Sequence, residues 1–276
     1  MEGFSGKVAV VTGAGSGIGR ALAVELARSG AKIAISDIDN EGLSETERQI
    51  KSLGGDVRSD RLNVAEREAF LLYADAIKEH FGTVNQIYNN AGIDFHGELE
   101  ASEFKDIERI IDVDFWGVVN GTKAFLPHLI ASGDGHVVNV SSIFGVMACP
   151  GQSSYNAAKF AVRGFTESLR QEMIIGKKPV AVTCVHPGGI KTNVARNATV
   201  AEGYDHAEFT KLFDMLARTR PQAAARIILT AVRKKKPRVL VGPDAKAIDI
   251  LVRLNGARYQ DLFVLGERFL MPKRSH

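Results

Sequence analysis

The feature that most constrains the fold is a short apolar run that leads through a glycine-rich turn into a helical pattern. Residues 7–12 (KVAVVT) are rich in β-branched side chains, which predicts a buried strand. Residues 18–29 then repeat apolar side chains at helical spacing, and Gly30 follows as a natural stop. A strand, tight turn and helix in this order predict the first half of a unit whose two strands are parallel.

The same alternation continues along most of the chain. Further strand patterns lie at residues 31–36, 57–62, 84–88, 136–140, 180–185 and 238–241, and helical patterns at 41–53, 67–81, 103–131 and 154–174. Because crossovers between parallel strands are right-handed, this order predicts an α/β, doubly wound Rossmann fold. We expect a seven-stranded, mostly parallel sheet with helices on both faces. Residues 193–220 break the pattern and are expected to form a lid.

Composition excludes several classes of function. The net charge is only +3 over 276 residues, whereas a nucleic-acid partner needs a strongly basic face. Cys149 and Cys184 match no metal-ligand spacing, so we expect buried apolar side chains and no metal site. The first residues lack a signal-peptide core, and no stretch reaches the roughly 18 apolar residues that span a bilayer. We therefore expect a cytoplasmic protein without a membrane span.

The spacing of glycines in the first turn indicates a phosphate-binding site. Residues 12–19 read TGAGSGIG, between a predicted strand and a predicted helix. Glycine lets the backbone approach a phosphate closely, and the helix start offers free N–H groups and the positive end of its dipole. Gly13, Ser16, Gly17, Ile18 and Gly19 are therefore expected to hold the pyrophosphate of a dinucleotide. A glycine loop that only packs the helix on the strand is the alternative.

Asp37 ends the second predicted strand, where the adenosine ribose of a dinucleotide should lie. A carboxylate there accepts hydrogen bonds from the ribose hydroxyls and repels a 2′-phosphate. The positions where a phosphate-binding cation is expected hold Ser16 and Ile38. The sequence thus favours NAD over NADP. Helix capping is the other reading of Asp37, but Asp39 and Asn40 are equally good caps.

Tyr155 and Lys159 form the candidate catalytic pair. They are four residues apart in a predicted helix and so share one face. A lysine ammonium and a cationic nicotinamide ring would each lower the pKa of the phenol, which is ordinarily about 10. The phenol could then take a proton from an alcohol or return one to a carbonyl. Ser142, just after a predicted strand, would orient the substrate oxygen, while Ser141 would only shape the turn.

Together these motifs resemble the short-chain dehydrogenase/reductase superfamily in its compact, single-domain form. The resemblance covers about residues 7–241 and includes the TGxxxGxG turn, the NNAG tetrapeptide at 89–92, the Ser142–Tyr155–Lys159 set and the PGxxxT turn at 187–192. It implies an oxidoreductase that transfers a hydride between NAD(H) and a secondary alcohol or ketone.

Further cofactor contacts are implied by the resemblance. They are Asn63 and Val64 near the adenine, Asn90, Ala91 and Gly92 near the adenosine ribose, and Pro187, Ile190 and Thr192 near the nicotinamide. Asn63 stands where the family usually has Asp. Tyr155 and Lys159 are also expected to contact the cofactor, Lys159 through the nicotinamide ribose. His186 is expected to be structural, because the family's chemistry does not need it.

Asp114 is the main departure from the family pattern. The family usually has a catalytic Asn in a V-N-x-x-G pattern, and the matching stretch here is VDFWG, residues 113–117. In the family this residue helps to hold a water that relays protons to the lysine. As a hypothesis, the charge of Asp114 would favour the cationic form of Lys159 and raise the pKa of Tyr155. A packing substitution with little consequence is the alternative.

The sequence does not name the substrate. Candidate substrate-facing residues flank the catalytic set: Asp94, Phe95, His96, Ile143, Phe144, Val146, Cys149, Pro150 and Gln152, together with a lid at 193–218. An apolar or medium-sized secondary alcohol fits this mixture. The alternatives are an NADPH-dependent carbonyl reductase and a non-catalytic regulator that binds a dinucleotide.

The chain beyond residue 242 is longer than the compact pattern requires. We expect residues 1–242 to form the dinucleotide-binding and catalytic domain, and residues 243–276 a helical extension of the same domain. Its apolar side chains could cover the active site, pack on another subunit or touch a membrane through the basic end, Lys273–Arg274–Ser275–His276. The resemblance implies a homodimer or homotetramer.

Overall fold

The computed structural model describes residues 3–270, without the side chains of residues 263 and 266–270. Its strands are β1 (Val8–Thr12), β2 (Lys32–Asp37), β3 (Val57–Arg61), β4 (Gln86–Asn89), β5 (Phe95–His96), β6 (Gly135–Val140), β7 (Val180–Pro187), β8 (Thr199–Val200) and β9 (Arg238–Val241). Its α-helices are α1 (Gly17–Arg28), α2 (Asn40–Ser52), α3 (Arg67–Phe81), α4 (Phe104–Ile111), α5 (Gly117–Ala131), α6 (Ser153–Ile175), α7 (His206–Leu216), α8 (Pro221–Arg233), α9 (Pro243–Asn255) and α10 (Tyr259–Leu270).

Seven of these strands form one sheet in the order β3-β2-β1-β4-β6-β7-β9. Every neighbouring pair in it is parallel. The chain moves outward from β1 to β3 and then restarts on the other side at β4, so the order reverses between β1 and β4. Ligands of such sheets bind in the crevice at the carboxyl ends of the strands on either side of this reversal. The doubly wound, seven-stranded α/β fold predicted from the sequence is confirmed.

Helices cover both faces of the sheet and bury two apolar clusters. One cluster joins the sheet to α1 and α8 through side chains such as Leu22, Leu26, Ile228 and Leu229. The other joins the opposite face to α3 and α5, with Phe70 and Phe125 at its centre. Residues 8–11 of β1 alternate between the two clusters, which explains why this run, VAVV, is apolar throughout.

The structure differs from the predicted elements in two places near the site. The helical pattern at 103–131 is interrupted by a π-helical turn, Asp112–Trp116, between α4 and α5. Residues 193–220 contain helix α7 and strand β8, and β8 pairs in parallel with β5 as a separate two-stranded sheet. Two-residue strands have no periodicity to detect, so sequence patterns miss them.

The expected helical extension is present as α9 and α10. The phenol of Tyr259 is buried against Ile143, Val146 and Met147, in the segment that follows β6. The extension therefore lies against a loop at the carboxyl edge of the sheet. The basic residues Lys273, Arg274 and His276, and the expectation placed on them, lie outside the described residues.

Candidate active site

The glycine turn leads from β1 into α1 at the crevice. Gly13 and Gly17 have φ values of +64° and +53°, which only glycine adopts without strain. A Cβ on Gly19 would lie 2.0 Å from the Gly13 carbonyl oxygen. The first turn of α1 has no acidic residue, and the Ser16 hydroxyl makes no capping hydrogen bond. The geometry fits a pyrophosphate, for which this helix start offers N–H groups and a free hydroxyl.

The NNAG segment holds this turn from the β4 side. The Asn90 side chain donates hydrogen bonds to the carbonyls of Thr12 and Gly13, at 3.0 and 3.2 Å. The backbone N–H groups of Asn90 and Ala91 donate to the Thr12 hydroxyl. The Asn90 amide is thus occupied in fixing the shape of the turn, and any contact that this segment makes with a ribose falls to its other atoms. Gly92 lies beside the catalytic pair, since a Cβ there would be 3.3 Å from the Lys159 ammonium.

Asp37 lies at the end of β2 and is tied to the glycine turn. Its Oδ2 accepts a hydrogen bond from the Gly15 N–H at 2.8 Å, and its Oδ1 accepts one from the Asp39 N–H at 3.1 Å. Helix α2 is capped by Asp39, so capping does not account for Asp37. The sheet also brings Arg61, the register partner of Asp37 on β3, to the same edge. The linear sequence gave no sign of a cation at this place.

Asn63 and Val64 form the turn that follows β3. The Asn63 amide donates to Glu66 at 3.0 Å, and its oxygen accepts from the Ala65 N–H. Val64 is buried, and its carbonyl accepts from Asn120 at 3.0 Å. Both residues are therefore fixed at the carboxyl edge of the sheet beside Asp37.

Tyr155, Lys159 and Ser142 meet at the carboxyl end of β6. The Lys159 Nζ lies 5.4 Å from the centre of the Tyr155 ring, as expected for two residues on one face of α6. The Ser142 hydroxyl lies close enough to the Tyr155 phenol to lower its pKa, and it accepts a hydrogen bond from the Phe144 N–H at 3.1 Å. A phenol, a hydroxyl and an ammonium therefore converge where a substrate oxygen could bind.

Asp114 projects from the π-helical turn and is fully buried. Its Oδ2 lies 2.9 Å from the Lys159 ammonium, and its Oδ1 accepts the Ile93 N–H at 2.8 Å. Burial raises the pKa of the Asp114 carboxyl, while Lys159 and the Ile93 N–H act to lower it. The direct ion pair replaces the water-mediated link that the resemblance implies.

The electrostatics around Tyr155 differ from the sequence expectation. Burial, followed by the charges of Asp94 and Asp114, raises the pKa of Tyr155 well above its usual value, and the hydrogen bond with Ser142 lowers it only in part. Lys159, the group expected to lower this pKa, is paired with Asp114 at 2.9 Å, so the negative charge of the carboxylate opposes the positive charge of the ammonium. The surroundings of Tyr155 within this chain therefore favour the protonated phenol.

The PGxxxT turn faces the glycine turn across the crevice. Pro187 ends β7, Ile190 is buried, and the methyl group of Thr192 lies 3.0 Å from the position of a Cβ on Gly17. Asp244, in the first turn of α9, accepts the Gly189 N–H at 2.6 Å and so anchors this turn. The expected neighbours of the nicotinamide are thereby placed opposite the helix start that fits the pyrophosphate.

Several residues that the sequence analysis did not single out support the site. The side chain of Asn156, next to Tyr155, hydrogen-bonds the backbone of Phe144, Met147 and Cys149. Tyr259 accepts the Ala148 N–H at 2.9 Å. An amide immediately after the catalytic tyrosine is a signal that could have been noticed, whereas the position of Tyr259 depends on the path of the extension.

Ser141 and His186 each form a hydrogen bond with the backbone of a candidate catalytic residue. The Ser141 hydroxyl donates to the Lys159 carbonyl at 2.8 Å. The Nδ1 of His186 lies 2.9 Å from the Ser142 carbonyl oxygen, so the ring carries its proton on Nδ1 and donates. Both contacts fix the position of the catalytic residues relative to β6.

The lid is attached to the site through β5. His96 stacks on Phe209 of α7 at 4.8 Å and meets the Tyr204 ring edge-on at 5.3 Å. Both ring nitrogens of His96 are buried without a hydrogen-bond partner among the described residues, and burial lowers its pKa. The aromatic contact and the pairing of β5 with β8 therefore join residues 193–220 to the segment that follows the NNAG tetrapeptide.

Within residues 3–270 no three His, Cys, Asp or Glu side chains are grouped so that they could hold a metal ion. In the same range no helix combines the length and the apolar character required to cross a membrane.

Comparisons with known proteins agree with this geometry. A model of the short chain dehydrogenase family matches residues 7–203. The Mycobacterium tuberculosis (strain ATCC 25618 / H37Rv) protein SadH, provisionally named an oxidoreductase, is 63% identical over 99% of both chains. The cyclohexanol dehydrogenase of Acinetobacter sp. (strain SE19) is 35% identical over 82% of this chain and 87% of its own.

A solved structure extends the match to the three-dimensional fold. It is a short chain dehydrogenase/reductase from Burkholderia phymatum in complex with NAD. It is 29% identical in sequence, with a TM-score of 0.86 over 95% of this chain and 97% of the other.

Proposed function

This chain belongs to the short-chain dehydrogenase family and is an oxidoreductase, and from that premise we propose that it transfers a hydride between NAD(H) and a secondary alcohol or its ketone, with Tyr155 as the acid and base. The observation that carries the proposal is the meeting of the Tyr155 phenol and the Ser142 hydroxyl beside the Lys159 ammonium, which lies 5.4 Å from the centre of the Tyr155 ring. The names of two relatives add support, one an NAD complex and one a cyclohexanol dehydrogenase.

The chain's own residues divide the work of proton transfer. Ser142, whose hydroxyl is aligned by the Phe144 N–H, holds the substrate oxygen beside the phenol. Tyr155 takes the hydroxyl proton during oxidation and returns it to the carbonyl oxygen during reduction. Bound NAD would accept or donate the hydride and, when oxidised, would add the positive charge that favours tyrosinate. Gly13, Ser16, Gly17, Ile18 and Gly19 would hold its pyrophosphate, and Asp37 its adenosine ribose.

We propose that Asp114 keeps Lys159 cationic and in position. A carboxylate 2.9 Å from a buried ammonium offsets the desolvation of the cation. For Asp114→Asn we expect the rising limb of the pH–rate profile for alcohol oxidation to move to lower pH, because the variant lacks a negative charge that raises the pKa of Tyr155. An unchanged profile and rate would remove Asp114 from the mechanism.

NAD is the preferred cofactor in this proposal, because Asp37 would repel a 2′-phosphate. NADP is the second candidate, and the position of Arg61 beside Asp37 favours it. A titration with NADH and NADPH, followed by nucleotide fluorescence, separates the two. We expect Asp37→Ala to reduce the ratio of NADH affinity to NADPH affinity. We expect Arg61→Ala to leave NADH affinity unchanged.

The catalytic proposal is tested by a screen of secondary alcohols, including cyclohexanol, with NAD and detection of NADH. We expect turnover by the wild type and loss of at least a hundredfold in Tyr155→Phe, the usual range for removing a general acid or base being about 10²–10⁴. Tyr73→Phe is the matched control, since it removes a buried tyrosine hydroxyl on α3, outside the catalytic set. NAD binding without turnover of any alcohol or ketone would instead favour a non-catalytic regulator that binds a dinucleotide.

We propose that the protein forms a homodimer or homotetramer through the face made by α4, the π-helical turn and α6. Phe104, Trp116 and Phe160 are 83%, 41% and 39% exposed there, and apolar side chains this exposed favour contact with a second copy. Light scattering after gel filtration measures the assembly, and Phe104→Ser should shift it toward smaller species.

A further inference from the structure

Asp94 is a buried carboxyl beside Tyr155 that the proposed mechanism does not use. It lies between the NNAG segment and β5 and is 7% exposed. Its Oδ1 accepts the Phe95 N–H at 2.8 Å, and the buried side chain of Gln152 lies close enough to act on its pKa. Gln152 immediately precedes α6, so Asp94 lies near the start of the helix that carries Tyr155.

The charges that face Asp94 come from two other elements. Asp114 of the π-helical turn accepts the N–H of Ile93, which directly precedes Asp94. A Cβ on Gly92 would lie 3.3 Å from the Lys159 ammonium of α6, and Phe95 packs in one apolar cluster with Tyr155 of the same helix. Asp114, Lys159 and Tyr155 are thus the charged and titratable groups that face Asp94. Along the chain, the neighbouring ionisable group is His96 at the end of β5, whose ring contacts Phe209 of α7. Lys159 is the cation that acts on this group within the described residues, and it is already paired with Asp114 at 2.9 Å. Two buried carboxyls therefore share one ammonium next to the phenol.

We propose that Asp94 is a positioning residue for proton transfer, whose charge, fixed by Phe95 and Gln152, controls how readily Tyr155 ionises. The inference rests on the proposed function of Tyr155. When Asp94 is ionised, the cluster of Asp94, Asp114 and Lys159 carries a net negative charge and opposes tyrosinate. When Asp94 holds a proton, the cluster is neutral and the opposition is relieved.

The surroundings of Asp94 place its change of charge in the working range of such an enzyme. Burial, more than the nearby charge of Asp114, raises its pKa to about 7, while the Phe95 N–H, Gln152 and Lys159 act in the other direction. Asp94 and Tyr155 are thus coupled sites, and the pH dependence of the reaction belongs to the pair.

The test compares Asp94→Asn with Glu98→Gln, a matched loss of one negative charge at an exposed position four residues along the chain. We expect Asp94→Asn to move the rising limb of kcat/KM for alcohol oxidation to lower pH, and Glu98→Gln to leave it in place. In the NAD-loaded protein, the tyrosinate absorbance of Tyr155 is found by subtracting the spectrum of the matching Tyr155→Phe variant. The pH at which this absorbance appears should move in the same direction. This second readout needs no turnover, so it separates failure of the inference from failure of the alcohol substrate.

A third measurement does not depend on any variant that folds poorly or on cofactor binding. The carboxyl carbon of Asp94, followed by NMR in the wild type, should titrate near pH 7. Titration in the ordinary range of aspartate would overturn the proposal, because the carboxyl would then be solvated and uncoupled from the cluster. A uniform loss of rate in Asp94→Asn, with the limb of the profile and the tyrosinate absorbance unmoved, would overturn it as well and leave Asp94 a structural role.

Discussion

At the scale of single residues, the free site opposes the ionisation that alcohol oxidation requires. Tyr155 is desolvated and faces Asp94 and Asp114, and the cation that should help it is paired with Asp114 at 2.9 Å. In a low-dielectric site these charges act strongly over a few ångströms. We therefore expect the proton to stay on the phenol until a further positive charge arrives, and a bound oxidised cofactor and a tyrosinate to favour each other.

The glycine turn allows a sharp prediction at one residue. Gly19→Ala would place a Cβ 2.0 Å from the Gly13 carbonyl oxygen and 2.6 Å from the Asn90 amide. Since both belong to the turn itself, relief requires the turn to move, and we expect about 1–3 kcal/mol of destabilisation. NAD affinity should fall by more than tenfold, or about 1.4 kcal/mol. Urea unfolding and nucleotide fluorescence titration measure the two effects.

Gly164→Ala is the control for this substitution. Gly164 is an exposed residue of α6, and a Cβ there meets nothing within 4 Å. Because alanine is the better helix former, the free energy of unfolding should stay level or rise by up to about 1 kcal/mol. Equal losses of NAD affinity in the two variants would contradict the role given to the turn.

At the scale of elements, the π-helical turn at Asp112–Trp116 is the feature that sequence patterns could not provide. The apolar spacing of residues 103–131 indicates one helix, and a single inserted residue does not disturb that spacing enough to be seen. Such bulges often mark functional sites. Here the turn presents Asp114 to both Lys159 and the Ile93 N–H. The motif located Asp114 correctly in the chain, but the direct ion pair depends on three elements meeting in space.

The C-terminal extension acts on the active-site loops, and we propose that it belongs to the same domain. Asp244 of α9 holds the PGxxxT turn through Gly189, and Tyr259 of α10 holds the loop after Ser142 through Ala148. Both contacts join residues far apart in sequence. The sequence indicated helices here, but left open what they cover.

Tyr259→Phe tests the contact between the extension and the loop after Ser142. Removing one hydrogen bond should lower the free energy of unfolding by about 1 kcal/mol. Hydrogen exchange at the Ala148 amide should become faster, and the KM for the alcohol should rise more than kcat falls. Leu254→Ser, at an 81% exposed position of α9, is the control and should change none of these. Unaltered exchange at Ala148 in Tyr259→Phe would show that the loop holds its shape without the extension.

For the molecule as a whole, the seven strands of the main sheet and its doubly wound α/β class followed from the sequence, because β-branched runs and glycine turns are local signals. The pairing of β5 with β8, the contact of His96 with Phe209 and the approach of Arg61 to Asp37 did not follow. Each depends on packing between distant segments that no local pattern encodes. Buried ionisable groups are the clearest case, since their burial and partners decide their pKa.

Those buried groups also make the stability of the whole molecule depend on pH. Burial lowers the pKa of His136 and of His186 to about 4. Between about pH 6.5 and pH 4 these histidines are protonated in the unfolded chain but neutral in the folded protein, so the free energy of unfolding falls as the pH drops toward 4. Each ring contributes up to about 3 kcal/mol over this window. Asp94 acts in the opposite sense, because its pKa is raised to about 7 and the folded state then binds the extra proton.

His136→Gln isolates one of these contributions. Thr183 donates its hydroxyl proton to the Lys236 carbonyl and so accepts from His136 Nε2, a bond that a glutamine amide can replace without titrating. The free energy of unfolding, measured with urea between pH 7 and pH 4, should therefore fall less steeply in this variant than in the wild type. Asp94→Asn should make the fall steeper, because it removes the group that gains stability on acidification. His80→Gln, at an exposed position, controls for the loss of a histidine as such. If His136→Gln kept the full slope of the wild type, the acid sensitivity would have to come from groups other than the buried rings.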